Sequence, residues 1–110
     1  MSYDQFLYKA EPDAGPINNW DKDYSLPNGS PQEIRNMFEE ILGKLKWNYT
    51  EDGGYWAEGC FTKHGFEISV SGQSTNIVSL NGCSQEQAIE MATKLGLSAF
   101  DPQKGEQLVL

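Results

Sequence analysis

Cys60 and His64 are the residues of this sequence best suited to covalent chemistry, because they stand four positions apart. A cysteine beside a histidine can act as a nucleophile with its base. Here, however, the pair brackets a predicted hairpin turn, a position where histidine is favoured for backbone reasons. We therefore expect a turn residue beside a buried thiol, and the sequence predicts no catalytic residues and no enzyme.

Metal binding has little support in the sequence. A structural zinc site uses four nitrogen or sulfur ligands, whereas this chain has one histidine and two distant cysteines, Cys60 and Cys83. Two cysteines are also too few for a disulfide framework. The run from Asp21 to Ser25 begins the alternating pattern of a calcium loop but lacks the glutamate that completes it. We expect no metal ion and no cofactor.

Length and charge limit the class of protein and of partner. The 110 residues suffice for one domain and leave no room for two independent cores. The 16 acidic residues exceed the 8 basic ones and give a net charge of −8. Such a field repels phosphate, so we expect no nucleic acid and no membrane as partner, and it suits a basic protein. With no signal peptide and no apolar run of about 20 residues, the expected location is cytoplasmic.

Two helices are the clearest elements in the sequence. Residues 30–33 (Ser-Pro-Gln-Glu) form a capping box with proline at the first helical position, and an apolar stripe then extends to Leu45. A second capping box at 84–87 opens a helix that ends at Gly96. Each helix has one apolar face, which predicts that it packs on a sheet.

Strands are expected before, between and after these helices. Residues 3–9 are rich in aromatics, and 47–80 alternate with turn signals at 52–54, at His64-Gly65 and at 72–74. Residues 98–100 and 107–110 are expected to pair around a turn at 101–105. The sequence thus predicts an α+β two-layer sandwich over residues 1–110. It has a mainly antiparallel sheet with two helices on one face, in the order β-α-β-β-β-β-α-β(β).

A long loop is predicted at about 11–30, where prolines, glycines, asparagines and acids collect. Loops longer than about 12–15 residues in a compact domain tend to be functional or disordered. Trp20 and Tyr24 stand in this loop, and Tyr55 and Trp56 follow the 52–54 turn; such side chains dominate interface energetics. The alternative for Trp20 is that it packs onto the core and fixes the loop.

Four stretches carry a family resemblance: Met1-Ser-Tyr-Asp4 with Phe6 and Tyr8, Gly29-Ser-Pro-Gln-Glu-Ile34, Ser79-Leu-Asn-Gly82, and Ala99-Phe-Asp-Pro-Gln-Lys-Gly-Glu106. With them the chain resembles a group of small, acidic bacterial proteins, some of which are immunity proteins paired with secreted toxins. The likeness spans nearly the whole chain, rests on turns and caps, and leaves the stretch from Pro12 to Pro27 without a counterpart.

The resemblance implies a binding protein that neutralises a cognate toxin domain, and acidic inhibitors suit basic toxins. We expect the partner-binding residues among the acids and aromatics of the long loop and of the 51–52 turn: Asp13, Trp20, Asp21, Asp23, Tyr24, Glu51 and Asp52. The sequence leaves one alternative open, a self-associating structural or regulatory subunit. Such a subunit would form a homo-oligomer through a sheet edge or a helix face.

Overall fold

The computed structural model describes residues 4–11, 13–15, 17, 20–61, 64–72 and 76–108, with the backbone alone at 60, 61 and 64. Its elements are β1 (Asp4–Ala10), β2 (Ser25–Leu26), α1 (Pro31–Leu42), β3 (Asn48–Tyr49), β4 (Tyr55–Phe61), β5 (His64–Val70), β6 (Ile77–Asn81), α2 (Gln85–Leu95), β7 (Ser98–Asp101) and β8 (Glu106–Gln107). The predicted α+β class is confirmed, and β2 is an additional strand within the predicted 11–30 loop.

The strands form an antiparallel sheet in the order β3-β4-β5-β6-β1-β7-β8, and β2 pairs with the end of β1. Residues directly opposite each other in such a sheet point to the same face. Leu7 lies opposite Val78 and Ala99, and Ile68 lies opposite Leu80. All five side chains are fully buried, so they mark the inner face of the sheet.

Both helices pack on this inner face. The apolar stripe of α1 contributes Ile34 and Phe38 to the core, and α2 contributes Ala88, Met91 and Ala92. Each helix begins at the capping box that the sequence predicts, with the reciprocal side-chain bonds in place. The sheet and the two helices therefore form the expected two layers.

Two predicted boundaries are wrong. The turn predicted at His64-Gly65 belongs to β5, because His64 is paired with Phe61 and Gly65 with Cys60. A glycine has no side chain to mark a face, so the alternating pattern does not distinguish a turn from a strand there. Helix α1 ends at Leu42, three residues before the last residue of the apolar stripe, because the next residue, Gly43, adopts a positive φ of 84°. The expected state of the Cys60 and His64 side chains lies outside the described residues.

The end of the chain folds back onto the sheet, as predicted. Phe100 of β7 lies opposite Gln107 of β8, and the Leu108 amide donates to the Ala99 carbonyl at 3.0 Å. Leu108 is buried in the core, while residues 109–110 lie outside the described part. The last strand is thus held by main-chain bonds and by an apolar side chain.

Asp101 organises the turn between β7 and β8 from a buried position. Its Oδ1 accepts the backbone amides of Gln103 at 2.9 Å and Lys104 at 3.2 Å. Its Oδ2 accepts Nε2 of Gln85 at 2.7 Å and Nε2 of Gln5 at 3.3 Å. Burial alone raises the pKa of the Asp101 carboxyl, but these four bonds outweigh it and the pKa is lowered. The carboxylate therefore links α2, β1 and the turn.

We expect Asp101→Asn to lower the free energy of unfolding by about 1–3 kcal/mol at neutral pH. The single oxygen of an amide can accept the backbone amides of the turn, but the NH₂ group beside it cannot accept from Gln5 and Gln85. A carboxyl with a lowered folded-state pKa stabilises the fold above its unfolded value, near pH 4, and this contribution is lost as the pH falls through the folded pKa. Denaturant unfolding should therefore show a difference between the two proteins that shrinks below about pH 4. The exposed Asp13→Asn is the control; equal stabilities of wild type and Asp101→Asn at neutral pH would contradict this role.

Candidate functional site

The second face of the sheet lies opposite the helices, and neither α1 nor α2 of the described structure packs on it. The register places Phe6 opposite Phe100 and Tyr8 opposite Ile77 on one half of this face. Acids and hydroxyls lie on its other half. We call it the open face and define it by Phe6, Tyr8, Trp56, Glu58, Glu67, Ser69, Ile77, Ser79, Asn81 and Phe100.

The segment at 11–24 packs on the apolar half of the open face. Trp20 meets Tyr8 edge to face with ring centroids 5.8 Å apart, and it meets Tyr24 in the same way at 5.6 Å. The Trp20 indole donates to the Gly15 carbonyl at 3.1 Å, and the Tyr24 hydroxyl donates to Oδ1 of Asp21 at 2.7 Å. Trp20 thus fixes the loop, as one sequence-based alternative predicted.

Long-range hydrogen bonds hold this segment at its middle and just after its last residue. Nδ2 of Asn76 donates to the carbonyl of Ser25 at 3.1 Å and to its Oγ at 2.9 Å, while Nδ2 of Asn28 donates to the Asn76 carbonyl at 3.0 Å. In the middle of the segment, the Ile17 amide donates to Oε1 of Gln107 at 2.8 Å. These partners are far away in the chain, so the segment is positioned by tertiary bonds.

A cavity of about 240 Å³ lies between the 11–24 segment and the sheet. We call it the aromatic cavity; its walls include Phe6, Tyr8, Trp20, Ile77 and Phe100, and Asp23 is the one carboxylate among the described residues that line it. Oδ1 of Asp23 accepts from Oγ of Ser25 at 2.6 Å and from its amide at 2.8 Å. These two bonds lower the pKa of the Asp23 carboxyl, so it is ionised at neutral pH.

An acidic groove of about 590 Å³ crosses the other half of the open face. Glu51, Asp52, Trp56, Glu67 and Ile77 are among the residues that line it. Ile77 is 43% exposed and borders both the acidic groove and the aromatic cavity. The two depressions therefore meet at an exposed apolar side chain.

Glu58 and Glu67 lie directly opposite each other on β4 and β5. Like charges in this position destabilise a sheet. Oε1 of Glu67 accepts from Nδ2 of Asn81 at 3.3 Å and from Oγ of Ser69 at 3.5 Å, which orients one of the two carboxylates. This half of the open face consequently offers an approaching cation two carboxylates on neighbouring strands.

The structure places the predicted partner-binding residues in two regions, the 11–24 segment and the acidic groove. The 11–24 segment carries five of them, and the acidic groove carries two. The seven are Asp13, Trp20, Asp21, Asp23 and Tyr24 in the segment, and Glu51 and Asp52 in the groove. Of the five in the segment, Trp20 and Asp23 line the aromatic cavity.

Sequence reasoning missed Glu58, Glu67 and Ile77. The alternation in 55–61 and 64–70 could have placed both glutamates on one face of a hairpin, had the strand boundary been known. Trp56, noted by residue type alone, lies opposite Ser69 on the open face, whereas Tyr55 lies opposite the core residue Val70 on the inner face.

Asp52, at the edge of the acidic groove, accepts hydrogen bonds from two separate parts of the chain. It accepts a short hydrogen bond from Oγ1 of Thr50. It also accepts the amides of Gly54 at 3.0 Å and Gly72 at 3.3 Å, and Oγ of Ser71 at 3.3 Å. The Thr50 bond is the largest reason that the pKa of Asp52 is lowered. Four internal donors occupy this carboxylate, so its first role is to join the β3–β4 turn to the end of β5.

The described residues offer little for covalent or metal chemistry. Burial raises the pKa of the Cys83 thiol to about 12, so it stays protonated at neutral pH and is a poor nucleophile. Within the described ranges, no three His, Cys, Asp or Glu side chains come together to hold a metal ion. Nor does either described helix have the length and apolar character needed to cross a bilayer.

In comparisons with known proteins, no family model, no curated protein and no solved structure matches this chain. We therefore infer its function from the residues of the open face.

Asp52→Ala and Glu51→Ala should separate the structural acid of this turn from its exposed neighbour. We expect Asp52→Ala to lower the Tm by a few degrees, because the amides of Gly54 and Gly72 lose their acceptor. Glu51→Ala, the matched control in the same turn, should leave the Tm unchanged. Thermal unfolding followed by circular dichroism measures both, and an unchanged Tm for Asp52→Ala would refute the assignment.

Proposed function

We propose that this is a non-catalytic binding protein of the cytoplasm that neutralises a cognate bacterial toxin by direct contact, with the open face as its binding surface. The observation that supports the proposal best is a sheet face without helix cover that combines aromatic and acidic side chains. Among the described residues that line the aromatic cavity and the acidic groove are Asp23, Glu51, Asp52 and Glu67, and none is a lysine or an arginine.

The apolar residues of the open face supply the contact energy of such a complex. Aromatic side chains that fill pockets provide most of the binding energy at protein interfaces. Trp20 and Trp56 lie on either side of the exposed Ile77, each lining one of the two depressions. A partner that covered this region would bury an apolar centre inside a charged rim, which is the usual anatomy of a specific interface.

The acids of the open face supply selectivity and speed of association. A chain of net charge −8 attracts a basic partner over long distances, and the effect weakens with salt. A toxin that acts on nucleic acid has such a basic surface, because it must bind phosphate. Carboxylates on the open face would then lie where that toxin receives its substrate phosphates.

Co-expression with the toxin domain encoded immediately upstream tests the proposal. We expect an equimolar complex on co-purification, loss of the domain's toxicity, and an association rate that falls as the salt concentration rises. Failure to form a complex, with toxicity retained, would refute the proposed function.

Glu58→Gln should affect stability and binding in opposite directions. Removing one of two facing carboxylates relieves repulsion with Glu67, so the Tm of the isolated protein should rise. The same change removes a charge from the proposed interface, so the complex should dissociate at least about threefold faster. Glu40→Gln, at an exposed position on α1, is the matched control and should do neither. A complex indifferent to Glu58→Gln would exclude this glutamate from the interface.

Self-association through a sheet edge is the second candidate. Tyr49 is 73% exposed on β3, a two-residue strand that pairs with only Tyr55 and Trp56 of β4. An exposed aromatic on an edge strand is a usual contact for a second chain. Sedimentation at high concentration tests this candidate: a strict monomer would remove it, whereas an oligomer dissolved by Tyr49→Lys would favour it over the toxin complex.

A further inference from the structure

We infer that the aromatic cavity receives one arginine side chain of the protein partner, with the guanidinium beside Asp23 and the aliphatic stem against the aromatic rings. This inference rests on the proposed function for the identity of the partner. The argument uses only those lining residues of the cavity that belong to the described part of the chain.

The size and walls of the cavity fit a single side chain. Its volume of about 240 Å³ lies below the roughly 300–1,000 Å³ of sites for drug-sized ligands. Phe6, Tyr8, Trp20 and Phe100 contribute aromatic rings to its walls. Aromatic faces attract cations, and the stem of an arginine packs well on apolar surface.

Asp23 gives the cavity its preference for a cation. Its Oδ1 is held by both donors of Ser25, while its Oδ2 has no hydrogen-bond partner among the described residues. The two bonds also fix the orientation of the carboxylate. Asp23 is exposed to solvent in the free protein, and a guanidinium in the cavity would form a charge-assisted pair with it.

Tyr8, Trp20 and Tyr24 form a cluster of rings in edge-to-face contact, and this cluster already holds one cation of the chain. Nζ of Lys22 lies 5.2 Å from the centroid of the Tyr24 ring, and Tyr24 in turn contacts Trp20. Lys22 does not line the aromatic cavity, so the cavity side of the cluster is left for a second cation. Arginine suits that side better than lysine, because its planar guanidinium stacks on rings and is more weakly hydrated.

Titration of the protein with N-acetyl-arginine methylamide, followed by NMR, tests the site without the toxin. The probe should shift the Trp20 indole N–H and the Ile77 methyl signals saturably. The citrulline analogue has nearly the same shape and no charge, and we expect it to bind at least about threefold more weakly. Asp23→Asn keeps the acceptor for Ser25 and should abolish the preference for arginine, whereas Glu11→Gln, at an exposed position in the same segment and outside the described cavity lining, should retain it.

Equal shifts with both probes, no shift with either, or an undiminished preference in Asp23→Asn would each overturn the inference. These results are separate from the fate of the proposed function. A toxin complex unaffected by Asp23→Asn, together with a silent titration, would remove the arginine site and leave the open-face interface. Selective arginine binding without any toxin complex would keep the site and remove the toxin as the partner.

Discussion

The two helices bury one face of the sheet and do not cover the other. On that second face, charged side chains and the 11–24 segment limit the exposure of apolar surface. On the inner face, Leu7, Ile68 and Leu80 pack beneath α1 and α2, and this burial is the main source of stability. On the open face, carboxylates keep one half hydrated, and the 11–24 segment lays Trp20 over Tyr8 on the other half. The segment is therefore both a cover for apolar surface and a wall of the aromatic cavity.

The open face keeps features that do not favour the isolated protein. Glu58 and Glu67 repel each other across two strands, and Ile77 remains 43% exposed between the two depressions. Natural proteins tolerate such local conflicts mainly where function requires them. A basic partner would neutralise the glutamates and bury the isoleucine in a single contact. We therefore propose that the partner contacts both the facing glutamates and the exposed isoleucine.

Local rules account for most of the fold. Both helix starts could be predicted, since a capping box lies within four residues, and most strands could be predicted from alternation. Strand β2 could not, because its two residues pair with the end of β1 and are fixed by the side chain of Asn76, 51 positions away, only in the folded chain. The role of Asp52 could not be predicted either, because its hydrogen-bond donors lie between residues 50 and 72 and come together only in the folded chain. Which acids lie on the open face depends on the register between β4 and β5. The sequence pattern predicts a turn at His64-Gly65, whereas both residues belong to β5, so this register could not be predicted.

We propose that the partner covers the open face and not the helix side. Trp47 and Trp56 provide a direct test, because Trp47 packs against the core on the helix side, beneath Arg35 of α1, while Trp56 lines the acidic groove. Variants that retain one of these tryptophans, with the others changed to phenylalanine, can be compared by acrylamide quenching with and without a tryptophan-free toxin domain. We predict that the complex protects Trp56 and leaves Trp47 unchanged. Protection of Trp47 with Trp56 still freely quenched would exclude the open face as the interface and place the partner on the helices.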